Sequence, residues 1–292
     1  MAHRWKKLTL AVLVAFAGVA FAVTAGELIN KSEQLWLQHK YNESNNALNE
    51  ALKANPTNNE KAEIYWRIAR NLYDLAEEMP REAKAERLKN YLKIQEVAKK
   101  CMEANPKLGE CYLWLGTGIG REGTQKGVLN MLGKIAQVEG LWLKCIELNP
   151  TYRAVDGTAN TLADAYYALG VFYRLVPDWN AVKVLYKTKG DKKKSVEMLR
   201  KAVELEPKRV EYAKELGISL ICLGQASKNP QLVEEGQKWL RKVSQMPSQK
   251  PTDEIDKQHA KMILDNPSLA CGYSRDAQQD VSEESFKKKK PE

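Results

Sequence analysis

The sequence predicts an all-α protein, a solenoid of about five helix pairs, on three observations. Four segments nearly superimpose: Ala51-Leu-Lys-Ala-Asn-Pro56, Cys101-Met-Glu-Ala-Asn-Pro106, Cys145-Ile-Glu-Leu-Asn-Pro150 and Ala202-Val-Glu-Leu-Glu-Pro207. Each closes a helical stretch, because proline lacks the N–H and its ring clashes with the preceding turn. A second pair recurs at Leu115-Gly116, Leu169-Gly170 and Leu216-Gly217, and the steps Pro106–Gly116 and Pro207–Gly217 are both ten residues. Aromatic residues fall at helical spacing, with Trp66, Tyr112 and Tyr166 at one site and Tyr73 and Tyr173 at the next. Two independent motifs holding one spacing define a repeat.

Taken from the amino terminus, Met1–Lys7 is a short basic stretch, and Leu8–Ala22 is apolar or small throughout except Thr9. Ala20-Phe21-Ala22 and Val23-Thr24-Ala25 place small residues where a signal peptidase cuts, so residues 1–25 read as a secretory signal peptide. The rival reading is an uncleaved anchor, since Leu8–Ala25 runs eighteen residues without a charge. No cysteine follows closely, which argues against lipoprotein processing. The solenoid is expected over residues 26–265, with Leu28–Pro56 as a weaker first unit, and residues 266–292 as a flexible charged tail. The prolines Pro56, Pro106, Pro150, Pro207 and Pro247 fall 50, 44, 57 and 40 residues apart. Extra length is expected between the two helices of a pair, at Glu78–Lys89, Gly120–Gly127 and Leu175–Lys194. Those connections share one edge of a solenoid, where insertions mark a functional rim. A further ten residues enter at Thr151–Asn160.

Only three histidines occur in 292 residues, His3, His39 and His259, and they are far apart. That removes most of the material for zinc sites, Ser-His-Asp triads and His-based acid–base chemistry. No catalysis, metal or cofactor is expected. The five cysteines match no zinc or CxxC spacing. Cys101 and Cys145 stand at an alanine site of the repeat and read as small buried residues. Cys101 and Cys111 also flank one tight turn, where an oxidising compartment would let them pair. A disulfide framework is not expected to be the basis of the fold.

The formal charge of +9 falls to +6 once Arg4, Lys6 and Lys7 are removed. Lys183, Lys187, Lys189, Lys192, Lys193 and Lys194 surround the single acid Asp191, and acids offset the Lys287–Lys290 run. Both clusters read as solvated, with contact to an anionic surface through Lys192, Lys193 and Lys194 as the alternative. Nucleic acid is not expected as a partner. Gly118-Ile-Gly120-Arg121-Glu122-Gly123 fits a dinucleotide fingerprint, but it follows a helix rather than a strand. Its glycines are expected to end one long helix and let the chain turn.

Leu-Gly on a first helix, alanine on a second and proline after it resemble the tetratricopeptide (TPR) pattern, over roughly Asn58–Pro247. The resemblance implies a right-handed superhelix with a concave groove. The long helices, the insertions and the Gly120-Arg121-Glu122-Gly123…Gly127 run are similar to bacterial TatT-like TPR proteins associated with TRAP transporters. Regulators of microtubule dynamics are similar in layout. The TatT-like resemblance implies a periplasmic solenoid working beside a solute-binding protein.

By the same resemblance, positions 2, 5, 9 and 12 of each first helix face the groove. These are Ile64, Arg67, Asn71 and Asp74, then Glu110, Leu113, Thr117 and Gly120. The next units give Asp164, Tyr167, Val171 and Arg174, then Glu211, Lys214, Ile218 and Ile221. The binding residues expected are Arg67, Asn71, Asp74, Leu113, Thr117, Tyr167, Arg174 and Lys214 from these positions, together with Arg121 beside Gly120. Arg67 and Asn71 suit a carboxylate geometrically, but the rest of such a clamp is not evident, so chance spacing or an internal ion pair with Asp74 is the favoured reading. Trp66, Trp114, Trp142, Tyr166, Tyr173 and Trp239 are expected in the core, and Trp179 in a loop. The function expected is a non-catalytic periplasmic scaffold binding another envelope protein through its groove or loop rim. The alternative is a carrier of a small apolar molecule, auxiliary to a TRAP-type transporter. Periplasmic or secreted placement follows from a cleaved signal, and amino-terminal membrane anchoring from an uncleaved one.

Overall fold

Asparagine–proline joints set the rhythm of the chain. Asn55 and Asn149 adopt the left-handed conformation at φ 50° and 47°, which a short polar side chain tolerates, and the next proline stops the helix. The computed structural model describes residues 23–288, and the expected signal peptide lies almost wholly outside them. Thirteen α-helices run in order through these residues: α1 Ala25–Leu37, α2 Tyr41–Lys53, α3 Asn58–Glu78, α4 Lys84–Ala104, α5 Gly109–Lys126, α6 Ile135–Glu147 and α7 Thr161–Leu175. They continue with α8 Asn180–Tyr186, α9 Lys192–Leu205, α10 Val210–Ala226, α11 Pro230–Val243, α12 Asp253–Asp265 and α13 Glu283–Lys288. Among the described residues no helix is long and apolar enough to cross a membrane.

Local chemistry sets the helix starts. Thr24 with Glu27 and Thr57 with Glu60 form reciprocal capping boxes on α1 and α3. Asn160, Asp191 and Asn229 accept backbone N–H bonds at the starts of α7, α9 and α11. The helices pack as α1 on α2, α3 on α4, α5 on α6, α7 on α9 and α10 on α11, with α12 against the last pair. That is the expected set of five pairs. Trp66, Tyr91, Leu169, Leu199 and Tyr212 are fully buried between them. Gly170 is where α7 meets α9 most tightly: a Cβ there would lie 2.4 Å from Leu199 Cγ.

Three expectations are corrected. Much of the extra length lies in the helices themselves, since α3 and α4 each run 21 residues. Gly118, Gly120 and Gly123 lie inside α5, which continues to Lys126 and stops at Gly127 with φ 91°. Only the last glycine of the run ends a helix. The third correction concerns the expected solvated tail. A short 3-10 turn at Pro267–Gly272 and the residues to Gln279 fold back against α5, α7 and α10 as a strap, with Tyr273, Ser274, Asp276 and Gln279 buried. Disulfides join Cys101 to Cys111 and Cys222 to Cys271, leaving Cys145 as a buried thiol. The second bridge fastens the strap to α10, a role for cysteine that the repeat pattern does not signal.

Candidate binding cavity

Small and aromatic side chains on the first helices leave a cavity of about 170 Å³ inside the solenoid. One part of its wall is apolar: Leu113 and Trp114 of α5, Val128 and Met131, Ile135, Val138 and Trp142 of α6, and Val171, Phe172 and Leu175 of α7. Another part is charged, formed by Arg70, Asp74 and Glu77 of α3, Arg121, Arg174, Arg209, Glu211 and Glu215, Lys250, and Arg275 of the strap. An apolar body and a polar head would each find a matching wall.

The charged wall is tied together by the strap. Asp276 receives Arg87 at 2.9 Å, Arg121 at 3.1 Å and Gln125 at 2.9 Å, and also bonds Thr124. Glu77 pairs with Arg121 at 2.5 Å and accepts from the Tyr91 hydroxyl at 2.7 Å. Burial opposes the charge on Glu77, but Arg121, Arg275 and Arg87 together hold its carboxyl below the usual range. Lys214 Nζ lies 2.7 Å from Asp256, 3.0 Å from Glu215 and 3.1 Å from the Tyr273 hydroxyl. Burial pushes Asp164, which also lines the cavity, above the usual carboxylate range. In contrast, Nε of Arg70 and Nε of Arg121 are buried and donate to no protein acceptor. Buried donors of this kind are costly unless something accepts from them.

The sequence pattern of the family described as Regulator of microtubule dynamics protein 1-3 matches residues 28–268. The chain belongs to this family. No curated protein matches it in sequence. Its fold is similar to that of TTC0263, a TPR protein of Thermus thermophilus, with TM-score 0.51 at 16% identity over 82% of this chain and 99% of that one. It is also similar to a monomeric mutant of IFIT1 with m7Gppp-AAAA, with TM-score 0.50 at 14% identity over 84% of this chain and 48% of that one. At such identities the likeness shows the fold, a TPR-type solenoid.

In this regulator-of-microtubule-dynamics family member, six of the nine expected binding residues line one cavity: Asp74, Leu113, Thr117, Arg121, Tyr167 and Arg174. The other three are engaged elsewhere. Arg67 pairs with Glu63 and, at 3.1 Å, with Glu33, so neither the carboxylate clamp nor the ion pair with Asp74 forms. Asn71 donates to Ser44 Oγ at 2.8 Å and Asn45 Oδ1 at 2.9 Å, holding α3 to α2. Lys214 lies inside the ion cluster described above. Asp74 instead accepts from Trp36 Nε1 at 2.7 Å. Arg174 is spent on the strap, donating to the carbonyls of Ala270 at 2.9 Å and Tyr273 at 2.7 Å. Trp114 and Trp142 are core residues and cavity wall together.

Sequence reasoning misses Arg275, Asp276, Arg87 and Lys250. A signal for the strap was present in the apolar run Leu269-Ala-Cys-Gly-Tyr273, which has no place in a solvated tail.

Proposed function

We propose that this chain is a non-catalytic binding protein that takes a small amphiphile into the interior of its solenoid. The carrying observation is the cavity walled by apolar side chains on one part and by a cluster of charged side chains that includes Arg121, Arg174, Arg209 and Arg275 on another. Arginine suits a carboxylate or another anionic head group. Apolar cavities of about 150 Å³ accept benzene-sized molecules, so the space favours a compact ligand in this conformation. The test is calorimetric titration of benzoate, a compact molecule with an apolar ring and a carboxylate head, into wild type and into Val171→Trp, which would fill the apolar part. Binding by wild type and at least tenfold weaker binding by the variant is expected. Equal binding by both would overturn the cavity as the site.

The second reading is a scaffold for an envelope protein. The strap packs against the first helices, so this reading favours a contact outside the groove, and Val155, 87% exposed in the 151–160 insertion between two helix pairs, supports it. Periplasmic placement is part of both readings, and two disulfides support an oxidising compartment. A cut after Ala22 keeps the Thr24 cap on α1, whereas a cut after Ala25 removes it. Mass determination of exported protein should show loss of 22 residues; an intact amino terminus would favour an anchor.

A further inference from the structure

The insertion between α7 and α9 presents an apolar face outward. In α8, Val182 is buried against the body of the protein, while Ala181, Val184 and Leu185 share an exposed face beside it. Val184 is 72% exposed and Leu185 52%. No described side chain covers them, yet the helix start is firmly held: Trp179 packs on Phe286 with ring centroids 5.3 Å apart. Lysines frame this face. Lys192 is neutralised by Asp178 at 2.5 Å, Lys194 lies over the Tyr173 ring, and Lys189 donates to Asn180. Lys183, Lys187 and Lys193 are exposed and make no ion pair with any described residue. Asp191 does not offset them fully, because it caps α9 through the amides of Lys193 and Lys194, both at 3.0 Å.

We propose that α8 and the loop after it are a docking surface for an anionic phospholipid bilayer. Val184 and Leu185 enter the interfacial region, and Lys183, Lys187 and Lys193 meet the head groups. Exposed aliphatic residues ringed by free lysines match that surface in both polarity and charge. An acidic protein face would satisfy the lysines and leave Val184 and Leu185 in water. The surface goes beyond the cavity reading and does not depend on it. It also moves the charge cluster of interest away from the Lys192–Lys194 run, since Asp178 neutralises Lys192 and Lys194 is turned onto the Tyr173 ring.

The experiment uses the full chain with Val184→Cys carrying a bimane label; the other cysteines are bridged or, at Cys145, buried. At low salt, equimolar phosphatidylglycerol–phosphatidylcholine vesicles should shield the label from aqueous iodide and expose it to nitroxide-bearing lipid. Pure phosphatidylcholine vesicles should not. Lysine near an anionic surface contributes about fivefold each, so Lys183→Gln, Lys187→Gln and Lys193→Gln together should weaken partitioning on the order of a hundredfold. The effect should shrink in physiological salt, where the Debye length is about 8 Å. A label that stays open to iodide on bound, anionic vesicles would mean attachment through Leu8–Ala25, and overturns the proposal. So does equal partitioning of the triple variant, or a label already shielded without vesicles, which would mean that protein covers the face.

Discussion

Replacing Gly170 by alanine places a Cβ 2.4 Å from Leu199 Cγ, 3.0 Å from Leu199 Cδ2 and 3.1 Å from the carbonyl oxygen of Ser195. Leu199 is fully buried, so its side chain has no open space to enter. The backbone cannot easily give either, because Ser195 Oγ donates to the carbonyl of Gly170 at 2.6 Å and accepts from Ser219 Oγ at 3.0 Å. Overpacking of this kind costs about 1–3 kcal/mol. Alanine recovers up to about 1 kcal/mol through its better helix propensity, so a net loss of roughly 1–2 kcal/mol is expected. At about 2–4 °C per kcal/mol for a domain of this size, the melting temperature should fall by roughly 2–8 °C. Gly140 in α6 is the control, since a Cβ there meets nothing within 4 Å. Gly140→Ala should raise stability by up to about 1 kcal/mol. Thermal unfolding of the two variants side by side reads the difference. If Gly170→Ala melts at or above Gly140→Ala, α7 and α9 do not approach as described.

The remaining predictions concern the strap. Asp276→Asn keeps the shape but leaves Arg87 and Arg121 without their carboxylate, and should cost about 3–5 kcal/mol by urea denaturation; a loss below about 1 kcal/mol would make those pairs incidental. Removing Cys222–Cys271, which closes a separation of 49 residues, should destabilise more than removing Cys101–Cys111, which closes 10, by about 1 kcal/mol on loop entropy. Equal losses from the two double alanine variants would contradict this, and limited proteolysis should also cut the strap faster in the first. Burial, with the charges of Lys214, Arg275 and Arg81, lowers His259 from 6.5 to about 4. Between those values the unfolded chain binds the extra proton, so stability should fall as pH drops from about 6.5 towards 4. His259→Gln should flatten that window, and an unchanged pH profile would refute the assignment.

The repeat was legible in the sequence because its causes are local. Proline ends a helix whatever surrounds it, so the joints at Pro56, Pro106, Pro150 and Pro207 are written into the chain, with a left-handed asparagine before the stop at Asn55 and Asn149 and a residue of negative φ at Asn105 and Glu206. The inward positions follow from the resemblance to the tetratricopeptide pattern, which points Asp74, Leu113, Thr117, Tyr167 and Arg174 into one groove, with Arg121 next to the inward Gly120. What they do there was decided by tertiary structure. Whether Arg174 faces a ligand or a carbonyl depends on where residues 267–279 travel, and no local rule sends them back across the first helices. Arg67 and Asn71 have the same spacing whether they clamp a carboxylate or pair with Glu33 and Ser44. Those partners lie 34 and 27 residues away, and only the stacking of α1 and α2 on α3 delivers them. Charge in a sequence is a count, but burial and partner decide its meaning: Lys192 and Lys193 are neighbours, and only one of them is left unpaired.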